Sequence, residues 1–236
     1  MAITYNDLTL DIRRRLRQAG IEAATLEARE LVCFAAGKDK ARLLRDGALY
    51  ASPEVEEAAW ALARRRLAGE PVAYLIGEWE FYGLPLDISE SVLIPRPDTE
   101  TLAEAAIDWL AQQDGPRVLD LCAGSGCLGL AIASQVKDAR VVLGELSDGA
   151  LRICRQNIRR NGLTTRMESI CVDVRQVPGS FPPGSFDVCV SNPPYFSGGP
   201  ASRTAALARR EIEREDGYFK VYGKRYGKAA AEEISE

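Results

Sequence analysis

Arg117-Val118-Leu119-Asp120-Leu121-Cys122-Ala123-Gly124-Ser125-Gly126 is the stretch on which the fold turns. An apolar run reads as a buried strand, two glycines break it, and Cys127–Val136 resumes at helical character. Glycines at 124 and 126 let a ligand approach the backbone, and a helix N-terminus offers unpaired N–H groups there. Outward from this unit, strands are predicted at Arg140–Leu146, Met167–Val172 and Phe186–Val190. A helix at Gly149–Asn161 and a short proline-rich link separate them. Strands and helices alternating at this spacing predict βαβ units and a parallel sheet, an α/β fold of about four strands.

Upstream the pattern is helical. Leu8, Ile12 and Leu16 recur at helical spacing, with Thr4-x-x-Asp7 as a cap and Gly20 as a stop. Leu26, Glu30-Leu31 and Phe34-Ala35 suggest a second helix ended by Gly37. Ser52-Pro53-Glu54 starts a third that runs through Ala58, Trp60 and Leu62 to Arg64-Arg65-Arg66 and stops at Gly69. Trp79–Ile88 reads as a hairpin around Gly83, and Thr99 to Leu110 as a helix. The expected domains are therefore a small N-terminal helical bundle at 1–72, a hairpin linker at 73–98, a cofactor-binding α/β domain at 99–195, and a charged tail at 196–236.

Composition narrows the class. Apolar residues make up 46% and charged residues 27% of 236, which excludes disorder and a disulfide scaffold. No apolar window approaches the roughly 20 residues of a membrane span. Met1–Asp7 has neither the basic flank nor the apolar core of a signal segment, so a cytoplasmic protein is expected. The six cysteines, with no CxxC, read as reduced and buried. Zero histidines excludes a serine–histidine triad, and no metal is expected. A net charge of −4 argues against non-specific nucleic-acid binding by the whole surface.

Two constellations carry chemistry. Glu145 follows the glycine turn at the end of the next strand, where a carboxylate accepts from ribose hydroxyls. The GxGxxG pattern is met only if Gly129 is its third glycine. Acids at Asp120 and Glu145 suit an amine-bearing cofactor without phosphates, such as S-adenosylmethionine, better than a pyrophosphate. Ser191-Asn192-Pro193-Pro194-Tyr195 follows the fourth strand, across the switch point from the glycine loop. The Asn192 side-chain oxygen and the Pro193 carbonyl can each accept one N–H of a planar NH₂ group, aiming its nitrogen at a methyl donor. Tyr195 offers an aromatic face, and two prolines stiffen the loop.

The run Arg65-Arg66-Leu67-Ala68-Gly69-Glu70-Pro71-Val72-Ala73-Tyr74-Leu75-Ile76-Gly77-Glu78-Trp79-Glu80-Phe81-Tyr82-Gly83 continues through Val92-Leu93-Ile94-Pro95-Arg96-Pro97-Asp98-Thr99-Glu100. With the glycine loop and Asn192–Tyr195, it resembles the peptide chain release factor N5-glutamine methyltransferase family (HemK/PrmC type), over about residues 5–195. The resemblance implies a substrate-recognising helical domain joined by a hairpin to a Rossmann-like class I methyltransferase domain. It implies S-adenosylmethionine as cofactor and the Gly-Gly-Gln glutamine of a release factor as substrate. Cys122, Ala123, Gly124, Ser125 and Gly126 would wrap the cofactor's methionine part, Glu145 its ribose, and Asp173 with Val174 its adenine. Asn192, Pro193, Pro194 and Tyr195 would bind the glutamine. Arg96, Pro97 and Glu100 would lie beside the cleft, Arg96 as a substrate contact or a structural ion-pair partner.

Seven strands would need three more beyond the fourth. Residues 196–236 are few for that, since one βαβ unit takes roughly 30. A shortened or rearranged chain, with the fourth strand at an open sheet edge and a tendency to self-associate, is the expectation. Phe196–Pro200 and Ala208–Glu211 look more like tRNA adenine-N6 methyltransferases, and the stretch from Arg203 to Lys228 is net positive. Two alternatives thus stand: adenine-N6 methylation of tRNA or DNA, and a non-catalytic protein that binds cofactor or release factor.

Overall fold

The computed structural model describes residues 2–193. Its contacts divide the chain into two compact units at Glu78/Trp79.

The first unit is helical. Helix α1 (Tyr5–Gln18) begins where Thr4 accepts from the Asp7 backbone N–H and donates its hydroxyl to the Asp7 carboxylate. It buries Tyr5, Leu8, Ile12 and Leu16. Helix α2 (Ala24–Ala36) ends at Gly37 and buries Leu31 as expected, but two other expected apolar positions, Leu26 and Phe34, are corrected. Leu26 is 47% and Phe34 53% exposed, whereas Ala24, Ala28, Leu31 and Val32 are buried. Small side chains on that face let α2 approach its neighbours closely, and a reading by bulk misses them. Two short helices were not expected: α3 (Lys40–Arg45), capped by Asp39, and α5 (Val72–Ile76). Between them α4 (Pro53–Leu67) starts at the Ser52 cap with proline in its first turn and again buries alanines, Ala59 and Ala63. A forked ion pair from Arg66 to Glu27, at 2.6 and 3.1 Å, joins α4 to α2.

From the boundary onward runs a hairpin of β1 (Glu78–Phe81) and β2 (Leu84–Asp87), all but Glu78 in the second unit. Tyr82 and Gly83 both have positive φ, the geometry of a two-residue type I′ turn. Then α6 (Pro97–Leu110) leads to β3 (Arg117–Leu121), α7 (Cys127–Gln135), β4 (Arg140–Glu145), α8 (Asp148–Arg160) and β5 (Met167–Cys171). The proline-rich link forms a 3-10 turn (Val174–Gln176) and one helical turn, α9 (Val177–Ser180). Strand β6 (Val188–Ser191) begins later than expected: before it the Asp187 N–H donates to the Arg117 carbonyl, but the Arg117 N–H turns to the Asp187 side chain, and Phe186 stacks edge-on against Phe181.

The four strands are parallel in the order β5-β4-β3-β6. Leu121 lies in register with Gly144 on one side and Ser191 on the other. The chain winds outward through β4 and β5 and returns beyond β3, so the switch point falls between β3 and β6. Helix α7, apolar on every side, is nearly all buried. A Cβ on Gly129 would stand 2.4 Å from a Leu143 methyl, so only glycine lets α7 lie this close to β4. Among the described residues no helix is long and apolar enough to cross a membrane.

Candidate active site

Asp120 is the deepest polar group of the sheet, 1% exposed and one residue before the carboxyl end of β3. Its carboxylate accepts from the Gly129 backbone N–H at 2.9 Å, tying strand to helix. Burial pushes its carboxyl up to about 7, with the Glu145 charge adding and the Gly129 N–H opposing. Past Leu121 the backbone enters the left-handed region at Cys122 (φ 57), Gly124 (φ 57) and Gly126 (φ 80), which caps α7.

That loop is held from three directions. The Glu145 carboxylate accepts from the Gly124 N–H at 2.9 Å, and also from the N–H groups of Leu146 and Ser147. The Cys154 thiol donates to the Gly124 carbonyl at 3.1 Å. The Asn157 amide donates to the Ser125 carbonyl at 2.9 Å and to the Asp87 carbonyl at 3.1 Å, while its oxygen accepts from the Asp87 N–H at 2.6 Å. Asn157 is fully buried, so a single side chain on α8 joins the hairpin to the loop.

Across the switch point, the Ser191 hydroxyl donates to the Leu121 carbonyl at 2.8 Å. Asn192 follows, and its side-chain NH₂ donates to the Thr99 hydroxyl in the first turn of α6 at 3.1 Å. One cleft is lined by Arg96, Asp120, Cys122, Ala123, Gly124, Ser125 and Asn192, together with Leu93, Pro95, Thr99, Cys127 and Leu128.

Most of the residues singled out from sequence therefore meet. Glu145 touches the cleft's loop through Gly124, and Gly126 starts the helix beneath it. Asp173 and Val174 stand beyond β5 and do not line this cleft. The Arg175 guanidinium and backbone N–H hold the Asp173 carboxyl down at about 2, and Val174 packs against the cluster of Leu119, Leu121 and Val172. Exposed Arg96 makes no ion pair among the described residues. Glu100 instead accepts from the Tyr82 N–H, linking α6 to the hairpin turn. Pro194, Tyr195 and the tail lie outside the described residues.

Sequence reasoning missed Thr99, Cys154 and Asn157. A signal existed for Asn157: it shares the face of α8 that buries Ala150, Leu151, Cys154 and Ile158, where an amide must find partners.

All six cysteines are free thiols. Burial, reinforced by the nearby acids, pushes Cys122 up to about 11 and Cys127 up to about 12, and raises Cys154 as well. These thiols stay protonated near neutral pH and are poor nucleophiles. Among the described residues no cluster of acids and thiols is arranged to hold a metal ion.

An S-adenosylmethionine-type cofactor fits this donor set. A Cβ on Gly124 would meet nothing within 4 Å, which leaves open space over the loop. Glu145 is half-exposed with three of its roughly four acceptor positions filled, which leaves one for a hydroxyl.

A parallel sheet with a glycine loop on one side of its switch point and an asparagine on the other defines a Rossmann-like methyltransferase domain. Residues 99–223 match the methyltransferase small domain, and residues 7–77 match the PrmC N-terminal domain. The chain is 41% identical over 192 residues to the release factor glutamine methyltransferase of Bordetella pertussis, covering 80% of this chain and 67% of that one. It is 39% identical over 203 residues to the protein of that name from Aliivibrio fischeri, covering 84% and 68%. The chain belongs to the release factor glutamine methyltransferase family and spans about two thirds of the length of these relatives. Among solved structures, the N-terminal domain of human METTL16 in complex with SAH aligns at 18% identity and TM-score 0.45, covering 65% of this chain and 66% of that one. That likeness is too slight to bear on function.

Proposed function

We propose that this protein transfers a methyl group from S-adenosylmethionine to the side-chain amide nitrogen of a release factor's glutamine, the one in its Gly-Gly-Gln motif. The observation that carries the reading is the position of Asn192, which lines the same cleft as the glycine loop with its nitrogen already engaged by Thr99. Its oxygen is left as an acceptor for an incoming amide N–H.

When bound, S-adenosylmethionine supplies an electrophilic methyl group on a positively charged sulfur. Cys122 to Gly126 would surround its methionine part, Glu145 would accept from a ribose hydroxyl, and Asp173 with Val174 would border its adenine. Asn192 Oδ1 and the Pro193 carbonyl would take the two N–H groups of the glutamine, fixing the nitrogen in line with the methyl carbon. Pro194 and Tyr195 would close over the amide, and Arg96, without an ion-pair partner among the described residues, would meet the substrate chain. Held there, the glutamine nitrogen would receive the methyl group that the cofactor supplies and would lose one proton to water. No side-chain base is required, which agrees with a chain without histidine whose cleft thiols are protonated.

Replacing Asn192 by alanine tests this. The account expects transfer to fall by about a hundredfold or more while cofactor affinity, measured by calorimetry, stays within a few-fold. Transfer at the wild-type rate would refute the role given to Asn192.

A further inference from the structure

We propose that Thr99 is a positioning residue for the reaction: its buried hydroxyl anchors the Asn192 amide at the cleft with its oxygen turned to the substrate. The proposal rests on the functional reading above and names a residue that reading does not need.

Thr99 is 5% exposed, one of few polar side chains buried in the second unit. It sits in the first turn of α6, ahead of the alanine face, Ala103 and Ala106, that packs the helix into the domain. Its Oγ1 takes the Asn192 Nδ2 donor at 3.1 Å across 93 residues of sequence. Both residues line the cleft. An asparagine amide presents two N–H donors on one side and an acceptor on the other, and rotation by half a turn exchanges them. A substrate NH₂ has only donors to offer, since its lone pair is delocalised. With the nitrogen of Asn192 turned to the cleft, donor would face donor and the substrate amide would lose its acceptor. Asn192 is only half-buried and follows the end of β6, so the strand ladder does not fix its χ2. The Thr99 hydroxyl, accepting from Nδ2, anchors the amide from a different element, and the donors of the substrate NH₂ select the oxygen as the end that faces them. A helix that starts Arg96-Pro97-Asp98-Thr99 thereby places both a cation and the hydroxyl at the cleft.

A packing role and a positioning role make opposite predictions. Valine fills the volume of threonine without the hydroxyl, and serine keeps the hydroxyl without the methyl. The proposal expects Thr99→Val to lower kcat for release factor methylation about tenfold or more, with cofactor affinity unchanged, and Thr99→Ser to stay within about threefold of wild type. In the Asn192→Ala background Thr99→Val should cost nothing further. If valine lowers the melting temperature, the pair Thr99→Ala and Thr99→Ser isolates the hydroxyl instead, and alanine should be the slower.

A second readout needs no turnover. The two side-chain amide protons of Asn192, seen by NMR with selective ¹⁵N labelling, should be well separated in wild type and Thr99→Ser and collapse toward a free-amide pair in Thr99→Val. A wild-type protein that labels no release factor would sink the functional reading while the amide signal still judges Thr99. Full activity in Thr99→Val, with an unchanged amide pair, would overturn the proposal.

Discussion

The two units of this chain are held together by opposite means. The first relies on apolar contact: Leu8, Ile12, Leu16 and Leu31 close over a seam of alanines, and its bonds to side chains lie mostly at the surface. The second carries buried polar groups, Asp120, Asn157, Thr99 and Ser125, around a cleft. Among the described residues no buried side-chain nitrogen or oxygen lacks a hydrogen-bond partner. Apolar packing depends on volume and tolerates substitution by similar shapes. A satisfied polar network depends on each partner, and losing one leaves another stranded in a medium of low dielectric. This chain can therefore vary cheaply in the apolar seam of the first unit and not in the polar network around the cleft.

The sharpest way to break the contrast is at Asn157. Asn157→Leu keeps the volume but strands the Asp87 N–H and carbonyl and the Ser125 carbonyl, and should cost about 3–5 kcal/mol in urea unfolding, with weaker cofactor binding. A loss under about 1 kcal/mol would mean that the hairpin and the loop are not joined through this side chain.

Asp120 is the next largest. Its folded pKa, about 7, lies above the ordinary 3.8, so the protonated form is favoured by folding. The stability it contributes is fully present below about pH 4 and is lost as pH rises through about 7. Asp120→Asn removes that dependence, so melting temperatures of wild type and variant should be closest near pH 4 and diverge up to about pH 7, by the equivalent of roughly 4 kcal/mol. Parallel curves would show that the carboxyl does not titrate in this window.

Gly129→Ala drives a methyl group into Leu143 and toward the Asp120 carboxylate, and should cost about 1–3 kcal/mol by thermal melting. Phe34→Ser is the smallest, within about 0.5 kcal/mol, because that ring is half in solvent at the flank of the buried face of α2. A loss of several kcal/mol there would restore the bulk-based reading of α2.

The same contrast decides what could be read from sequence. Strands β3, β4 and β5 were legible to within a residue: β3 and β4 because buried parallel strands are largely apolar runs, and β5, only partly buried, by its place in the strand–helix alternation. Caps at Thr4 and Ser52 marked α1 and α4 through local chemistry alone. The buried face of α2 was not legible, since alanine carries little periodic signal, and α3 and α5 are too short to show a period. At the site, the glycine loop, Glu145 and Asn192 were legible because loops after parallel strands converge at a switch point. The Thr99–Asn192 and Asn157–Ser125 bonds were not, because each joins residues that only the tertiary fold brings together.

The central claim is the acceptor of the methyl group. It is tested most directly by one incubation of this protein with methyl-labelled S-adenosylmethionine, unmodified release factor and bulk unmodified tRNA, followed by separation of protein from nucleic acid and sequencing of the labelled peptide. The account predicts label in the release factor, on the glutamine of Gly-Gly-Gln, abolished by Asn192→Ala. Label confined to tRNA, or none in either fraction from a protein that binds the cofactor, would contradict it.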